Sequence, residues 1–204
     1  MAYTVWENLD QVERYARRRY RHWDQRQLNQ REQRLVRKLF KRHGLGGQIL
    51  DAPVGYGRFQ QLLNEFGTVK ALDFNYYAAL YQLQRIALAS DAVTGLAEAL
   101  PFQDRSFDVI FSFRLMQHMH HSSERRAIYR EFKRVSRRWV VISHYQKTTI
   151  HRLHRLLFRQ PSRITMQSRA ELLAETSQAG LSLIQSVAVL PGVHAHHISL
   201  FSTQ

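Results

Sequence analysis

Apolar positions near the start of the chain recur three and four residues apart: Leu9, Val12, Tyr15 and Ala16, then Leu28, Leu35, Val36, Leu39 and Phe40. That period predicts two amphipathic helices, with Trp23 between them. After Gly46-Gly47 the pattern changes to short apolar runs separated by helical stretches. The runs predict strands near 48–52, 69–73, 86–90, 107–113, 138–144, 181–190 and 195–202. Helices fit between them at 57–66, 75–84, 122–136 and 168–179, the last opening on Ser168 and closing at Gly180 as capping rules require. Strand-helix alternation with right-handed crossovers predicts an α/β, Rossmann-like fold: a seven-stranded, mostly parallel sheet with helices on both faces, plus the two N-terminal helices. The last two strands, joined through Pro191-Gly192, are expected to form an antiparallel hairpin. The expected organisation is a single domain over 1–204, with a helical cap at 1–45, a core at 46–204 and a basic lid insertion at 146–166. Neither an internal repeat nor a low-complexity tract interrupts it.

The stretch from Ile49 to Phe59 concentrates the chemistry: an apolar strand runs into Asp51, and Gly55 and Gly57 follow closely. Glycines at such a turn permit unusual backbone angles and let a ligand approach the main chain. A second apolar run ends at Asp73, about twenty residues beyond the glycines, the separation at which such folds bind a pair of ribose hydroxyls. An ordinary strand-turn-helix, with glycines that only tighten the turn and acids that cap helices, is the plain alternative. A dinucleotide-binding dehydrogenase requires a third glycine three positions after Gly57, where this chain has Gln60.

Two further segments narrow the reading. Leu100-Pro101-Phe102 is followed by Ser106-Phe107-Asp108-Val109-Ile110-Phe111-Ser112, a proline-bearing loop leading into a buried strand. Together with Asp51 and Asp73, these residues resemble the class I S-adenosylmethionine-dependent methyltransferases, in the type 11-like branch whose first motif reads Asp-x-Pro-x-Gly-x-Gly-Arg. The resemblance spans about residues 45 to 200. It implies S-adenosylmethionine as cofactor, with Asp51, Pro53, Gly55, Tyr56 and Gly57 around its methionine part, Asp73 on the ribose hydroxyls and Phe74 beside the adenine. Phe113 and Arg114 belong to the same implied set. Near the adenine amine the resemblance implies an acid where this chain has Leu96; Asp91 is the nearest carboxylate, and Ala97 and Glu98 complete that side. Pro53 stands where the family usually has a glycine, and Tyr56 brings a phenol to a position that is usually small.

Thirty Lys and Arg against sixteen Asp and Glu give a formal charge of +14. Most of the cations are arginines, which pair bidentately with phosphate or carboxylate, so an anionic acceptor is expected. A phosphorylated sugar or other glycan is favoured over RNA, because an Asn-Pro-Pro-Tyr-type tetrad is absent after Phe111 and no aromatic stacking platform is evident. A basic but merely solvated surface is the plain alternative. Cysteine is absent, which excludes disulfides and thiolate metal sites. No apolar run approaches bilayer length and no charged-then-apolar leader opens the chain, so the expected location is cytoplasmic, with contact to an acidic inner membrane face as an extension.

The loop Phe113 to His121 leaves the fourth strand where methyltransferases of this type bring acceptor and methyl group together. His118 is the candidate base for a hydroxyl acceptor, with His120 or His121 behind it; a packing or capping role is the plain alternative. No metal is expected, since only Glu124 stands near the three histidines. Arg114, His120, Arg152 and Arg155 are the candidate acceptor contacts, the last two on the basic lid. His194 and His196, on one face of the last strand, are expected to be structural. Three functions remain open at this point: an O- or N-methyltransferase acting on a cell-surface glycan or lipopolysaccharide-type sugar, a pseudo-methyltransferase regulator, and a basic nucleic-acid-binding module on the same scaffold.

Overall fold

The computed structural model describes residues 5–147, 164–191 and 195–204. It opens with α1 (Leu9–Arg19), capped by Asn8, whose side chain accepts the Gln11 N–H at 2.9 Å. Helix α2 (Trp23–His43) follows and ends at Gly44 in the left-handed conformation. Trp23 is the first residue of α2 rather than a spacer, and it is exposed. Each fully buried large apolar side chain contributes about 1.5–3 kcal/mol. Helix α2 buries Val36, Leu39 and Phe40 whereas α1 buries only Val12, so α1 is held far less firmly.

Seven strands follow: β1 (Gly47–Asp51), β2 (Gly67–Asp73), β3 (Asp91–Thr94), β4 (Phe107–Ser112), β5 (Ser136–Tyr145), β6 (Ser182–Ala188) and β7 (His196–Ser202). They form one sheet in the order β3-β2-β1-β4-β5-β7-β6. Pairing from β3 across to β5 is parallel; β7 is antiparallel to both its neighbours, so β6 and β7 make the expected antiparallel pair. Helices α3 (Gln60–Leu63), α4 (Tyr76–Tyr81), α5 (Ser122–Val135) and α6 (Arg169–Gln178) connect the strands. Successive strand residues point to opposite faces. Ile49, Val69, Val109, Phe111 and Val141 therefore pack under α2 and α3, while Leu50, Leu72, Ile110 and Val140 pack with Ile128, Phe132 and Leu172 from α5 and α6. Burial on both faces is why the strands read as continuous apolar runs.

Two elements differ from the sequence expectation. The run at 86–90 is not a strand: α4 continues as a π turn over Gln82–Ile86, Ala87 closes it with φ 53°, and Leu88 is exposed. The third strand begins at Asp91, where Lys70 pairs with Asp91 and Asp73 with Thr94. A short apolar run does not distinguish a helix end from a strand. The helix expected at 57–66 is reduced to α3, because Gly57 holds φ 78° and delays helix entry. Gly192, His194 and most of the lid, including Arg152 and Arg155, lie outside the described residues.

Strand order reverses between β1 and β4, and such a sheet opens a crevice there, at the carboxyl ends of its strands.

Candidate functional site

The chain leaving β1 crosses this crevice. Val54 N–H donates to the Leu72 carbonyl at 2.9 Å, which sets the loop over the end of β2. Gly55 holds φ 56°, and its N–H donates to Asp73 Oδ2 at 2.8 Å. Gly57 holds φ 78°, a conformation that favours glycine, and a Cβ there would lie 2.2 Å from Gln82 Oε1. Gln82 in turn donates from Nε2 to the Gly55 carbonyl at 2.9 Å. Gln60, at the place of the third glycine of a dinucleotide fingerprint, is fully buried and donates to Asp51 Oδ2 at 2.9 Å. A side chain therefore fills the position that a pyrophosphate-binding helix leaves empty.

Asp73 accepts the Gly55 N–H on one oxygen and the Asn75 N–H on the other, at 2.8 and 2.9 Å. Burial pushes its pKa up to about 6 against these two bonds, and burial pushes Asp51 up to about 8, with a smaller contribution from the charge of Asp73. Two buried carboxyl groups side by side, Asp51 protonated at neutral pH and Asp73 largely ionised, suit a ligand that brings hydroxyl donors. Asn75 also donates to the Trp6 carbonyl at 3.0 Å, which ties the segment before α1 to the end of β2. Trp6, Tyr15 and Tyr56 then form an edge-to-face aromatic row, with centroids 5.5 and 5.6 Å apart.

Opposite the carboxylates is a cationic wall. Glu32, fully buried on α2, binds Arg58 Nη2, Arg114 Nη2 at 3.2 Å and His196 Nδ1 at 2.9 Å. Burial raises the Glu32 pKa, but His196, Arg58 and Arg114 outweigh it and hold the carboxyl down at about 2. Arg58 Nη1 donates to the Tyr20 hydroxyl at 2.6 Å, and its guanidinium lies 4.5 Å from the Phe59 ring and 5.0 Å from Phe113. Arg114 follows β4 with φ 63°, and its N–H donates to Ser143 Oγ at 2.7 Å. A non-glycine residue in this region costs stability and is kept where the surroundings demand it.

These walls enclose a cavity of about 290 Å3, at the lower edge of small-ligand pockets, which run to about 300–1,000 Å3. Asp51, Pro53, Gly55, Tyr56, Asp73, Phe74, Phe113, Arg114 and His118 line it, joined by Trp6, Tyr15, Arg19, Tyr20 and Arg58 from outside the expected set. His118 closes a 3-10 turn over Met116–His118; burial, His120 and Arg114 all lower its pKa, so its imidazole is neutral at neutral pH. Arg58 Nε, Arg114 Nε and Gln117 Oε1 are buried without hydrogen-bond partners among the described residues, polar atoms that a bound ligand can satisfy.

Five expected residues stand elsewhere. Gly57 shapes the loop from behind, against Gln82. Asp91 lies at the start of β3, three pairs from the Asp73 end, and pairs with Lys70 at 2.9 Å; the carboxylate is spent on the strand's far end. Ala97 packs into the core and Glu98 is exposed, neither on the cavity wall. His120 is also exposed and hydrogen-bonds through Nδ1 with Thr165 Oγ1 at 3.0 Å. His196 is buried against Glu32 and Tyr145, in keeping with a structural role. No group of three or more His, Asp or Glu residues among the described ones stands ready to hold a metal, and no helix there is long and apolar enough to cross a membrane. Glu32 is the residue sequence reasoning missed most plainly: it sits four residues after Leu28 and four before Val36, an acid inside the apolar stripe of α2.

Sheet order and crevice define a Rossmann-like architecture. Residues 50–141, from β1 into β5, match the family model described as "Methyltransferase domain". Over 97% of this chain and 96% of the other, the fold superposes with a TM-score of 0.75 and 17% identity on magnesium protoporphyrin IX methyltransferase from Synechocystis PCC 6803 with bound SAH. A SAM-dependent methyltransferase from Aquifex aeolicus gives a TM-score of 0.67 at 16% identity, covering 97% and 99% of the two chains. One from Methanosarcina mazei gives 0.59 at 16%, covering 76% and 91%. No curated protein matches the sequence. The fold is that of SAM-dependent methyltransferases.

In the ribose-binding role that the resemblance implies, the Asp73 carboxyl must be ionised to accept two hydroxyls with full strength, and burial raises its pKa to about 6. Binding therefore expels a proton at acid pH, and affinity rises as pH rises. Titration calorimetry is expected to show S-adenosylmethionine binding weakening by up to about tenfold per pH unit below about 6, and an affinity flat from about pH 5 to 7 would contradict the role of Asp73.

Proposed function

We propose that the protein methylates a hydroxyl of an anionic acceptor, a phosphorylated or acidic sugar of the cell-surface glycan or lipopolysaccharide type. The observation that carries this reading is the mixed charge of the cavity lining: the acids Asp51 and Asp73, the cations Arg19, Arg58 and Arg114, and the imidazole of His118. S-adenosylmethionine supplies an electrophilic methyl group on a sulfonium, so the chain's own task is mainly alignment. Asp73 takes ribose hydroxyls and Asp51, with the Gly55 turn, the methionine end. Arg114, fixed by Glu32 and by Ser143, holds the acceptor's negative charge. His118, neutral at working pH, removes the hydroxyl proton as the new carbon–oxygen bond forms.

Purified protein incubated with radiolabelled S-adenosylmethionine and fractionated cell extract tests the reading. Label is expected in the glycolipid or sugar-phosphate pool, and His118→Gln is expected to reduce incorporation by about 100-fold or more while leaving S-adenosylmethionine binding intact. Label in RNA alone would replace the acceptor class; binding without any label would favour a pseudo-methyltransferase.

A further inference from the structure

Beside the cavity, on the outer side of the Trp6–Tyr15 pair, lies an open hollow of about 490 Å3. Its charged lining is Arg14, Arg18 and Arg19, with Gln11, His22 and Gln25 beside them. No carboxylate of the described residues lines it. Gln11, Arg14 and Arg18 are spaced three and four apart and so form one stripe of α1. Of the acids near this stripe, Glu13 pairs with Arg17, Glu7 accepts from Gln11 Nε2 at 3.3 Å, and Asp10 makes no salt bridge among the described residues. Arg14 and Arg18 make no salt bridge among them either, and both are exposed. Three arginines gathered on one lining repel one another, a cost that a bound anion relieves. Trp6, Tyr15 and Arg19 line both spaces, so an acceptor can pass from one to the other around the aromatic pair.

We propose that this hollow is a second anion subsite, which binds a phosphate or diphosphate ester of the same acceptor whose sugar hydroxyl enters the cavity. The proposal rests on the acceptor reading above. Guanidinium groups present paired N–H donors that match phosphate oxygens. Arg14 and Arg18 grip the phosphate, Gln25 donates to a remaining oxygen, and Arg19 bridges to the cavity. The acceptor is then a sugar phosphate or a sugar linked through a diphosphate, not a neutral glycan.

Calorimetric titration of the full chain with inorganic pyrophosphate tests this, with and without saturating S-adenosylmethionine. Binding is expected in both conditions. Arg14→Ala/Arg18→Ala is expected to weaken it by about tenfold for each guanidinium removed, while Arg14→Lys/Arg18→Lys retains part of the affinity. Affinity for S-adenosylmethionine is expected to stay unchanged in both variants. Pyrophosphate binding that survives the alanine pair, or that competes with S-adenosylmethionine, would overturn the subsite. A parallel arm compares glucose 1-phosphate with a short oligouridylate: tighter oligouridylate binding with a steep salt dependence would assign the hollow to a nucleic-acid backbone and overturn the sugar-phosphate proposal. Failure of wild-type protein to bind S-adenosylmethionine would strike the methyltransferase reading instead, so the two failures are distinguishable.

Discussion

Asp73→Ala is expected to weaken S-adenosylmethionine binding by about 100-fold or more. In the proposed reading the carboxylate accepts two charge-assisted hydrogen bonds from ribose hydroxyls, each contributing about 1.5–3 kcal/mol. The same substitution releases the N–H of Gly55 and of Asn75, so the glycine turn loses its anchor along with the ligand contact. Asp73→Asn keeps a single acceptor oxygen and should fall between wild type and alanine. Calorimetry at about pH 8, where the wild-type carboxyl is ionised, gives the clearest comparison. An alanine variant within threefold of wild type would mean that the ribose lies elsewhere.

Glu32→Gln is expected to lower stability by about 3–5 kcal/mol, because it leaves Arg58 and Arg114 buried with no compensating charge. In a chain of this length that corresponds to a fall in Tm of roughly 6–20 °C. The sign of its pH dependence follows from the depressed pKa of Glu32, about 2 in the folded protein against about 4.3 for an unperturbed glutamate. Its ionised form stabilises the fold above about pH 4.3, and that contribution is lost as pH falls toward 2. Thermal unfolding of wild type and variant should therefore converge at acid pH and diverge above about pH 5. Equal stability at pH 7 would show that the cluster is not held by charge.

How much of this was legible in the sequence depends on the reach of each interaction. The Asp51 to Gly57 loop and Asp73 are readable because their geometry is local to a strand end and a turn. The cationic wall is not, since Glu32, Arg58, Arg114 and His196 come from α2, the glycine loop, the turn after β4 and β7, which only the folded sheet brings together. The acid in the apolar stripe of α2 is the one visible trace. Asp91 shows the opposite error: a carboxylate near in sequence to the expected position is carried about 10 Å down the strand by three residues of rise. The misplaced third strand has the same origin, because Gln82 extends the helix to reach the glycine loop, a demand that the run of 86–90 does not record.

Strand β7 is wedged between β5 and β6 although it follows both in the chain. During synthesis, β5 therefore emerges with a bare edge, and its hydrogen-bonding groups stay open to other strands until residues 196–202 leave the ribosome. The same late segment delivers His196 to Glu32. A nascent chain can shape its glycine turn early, yet the charged keystone behind the cavity locks only when this final wedge slides home.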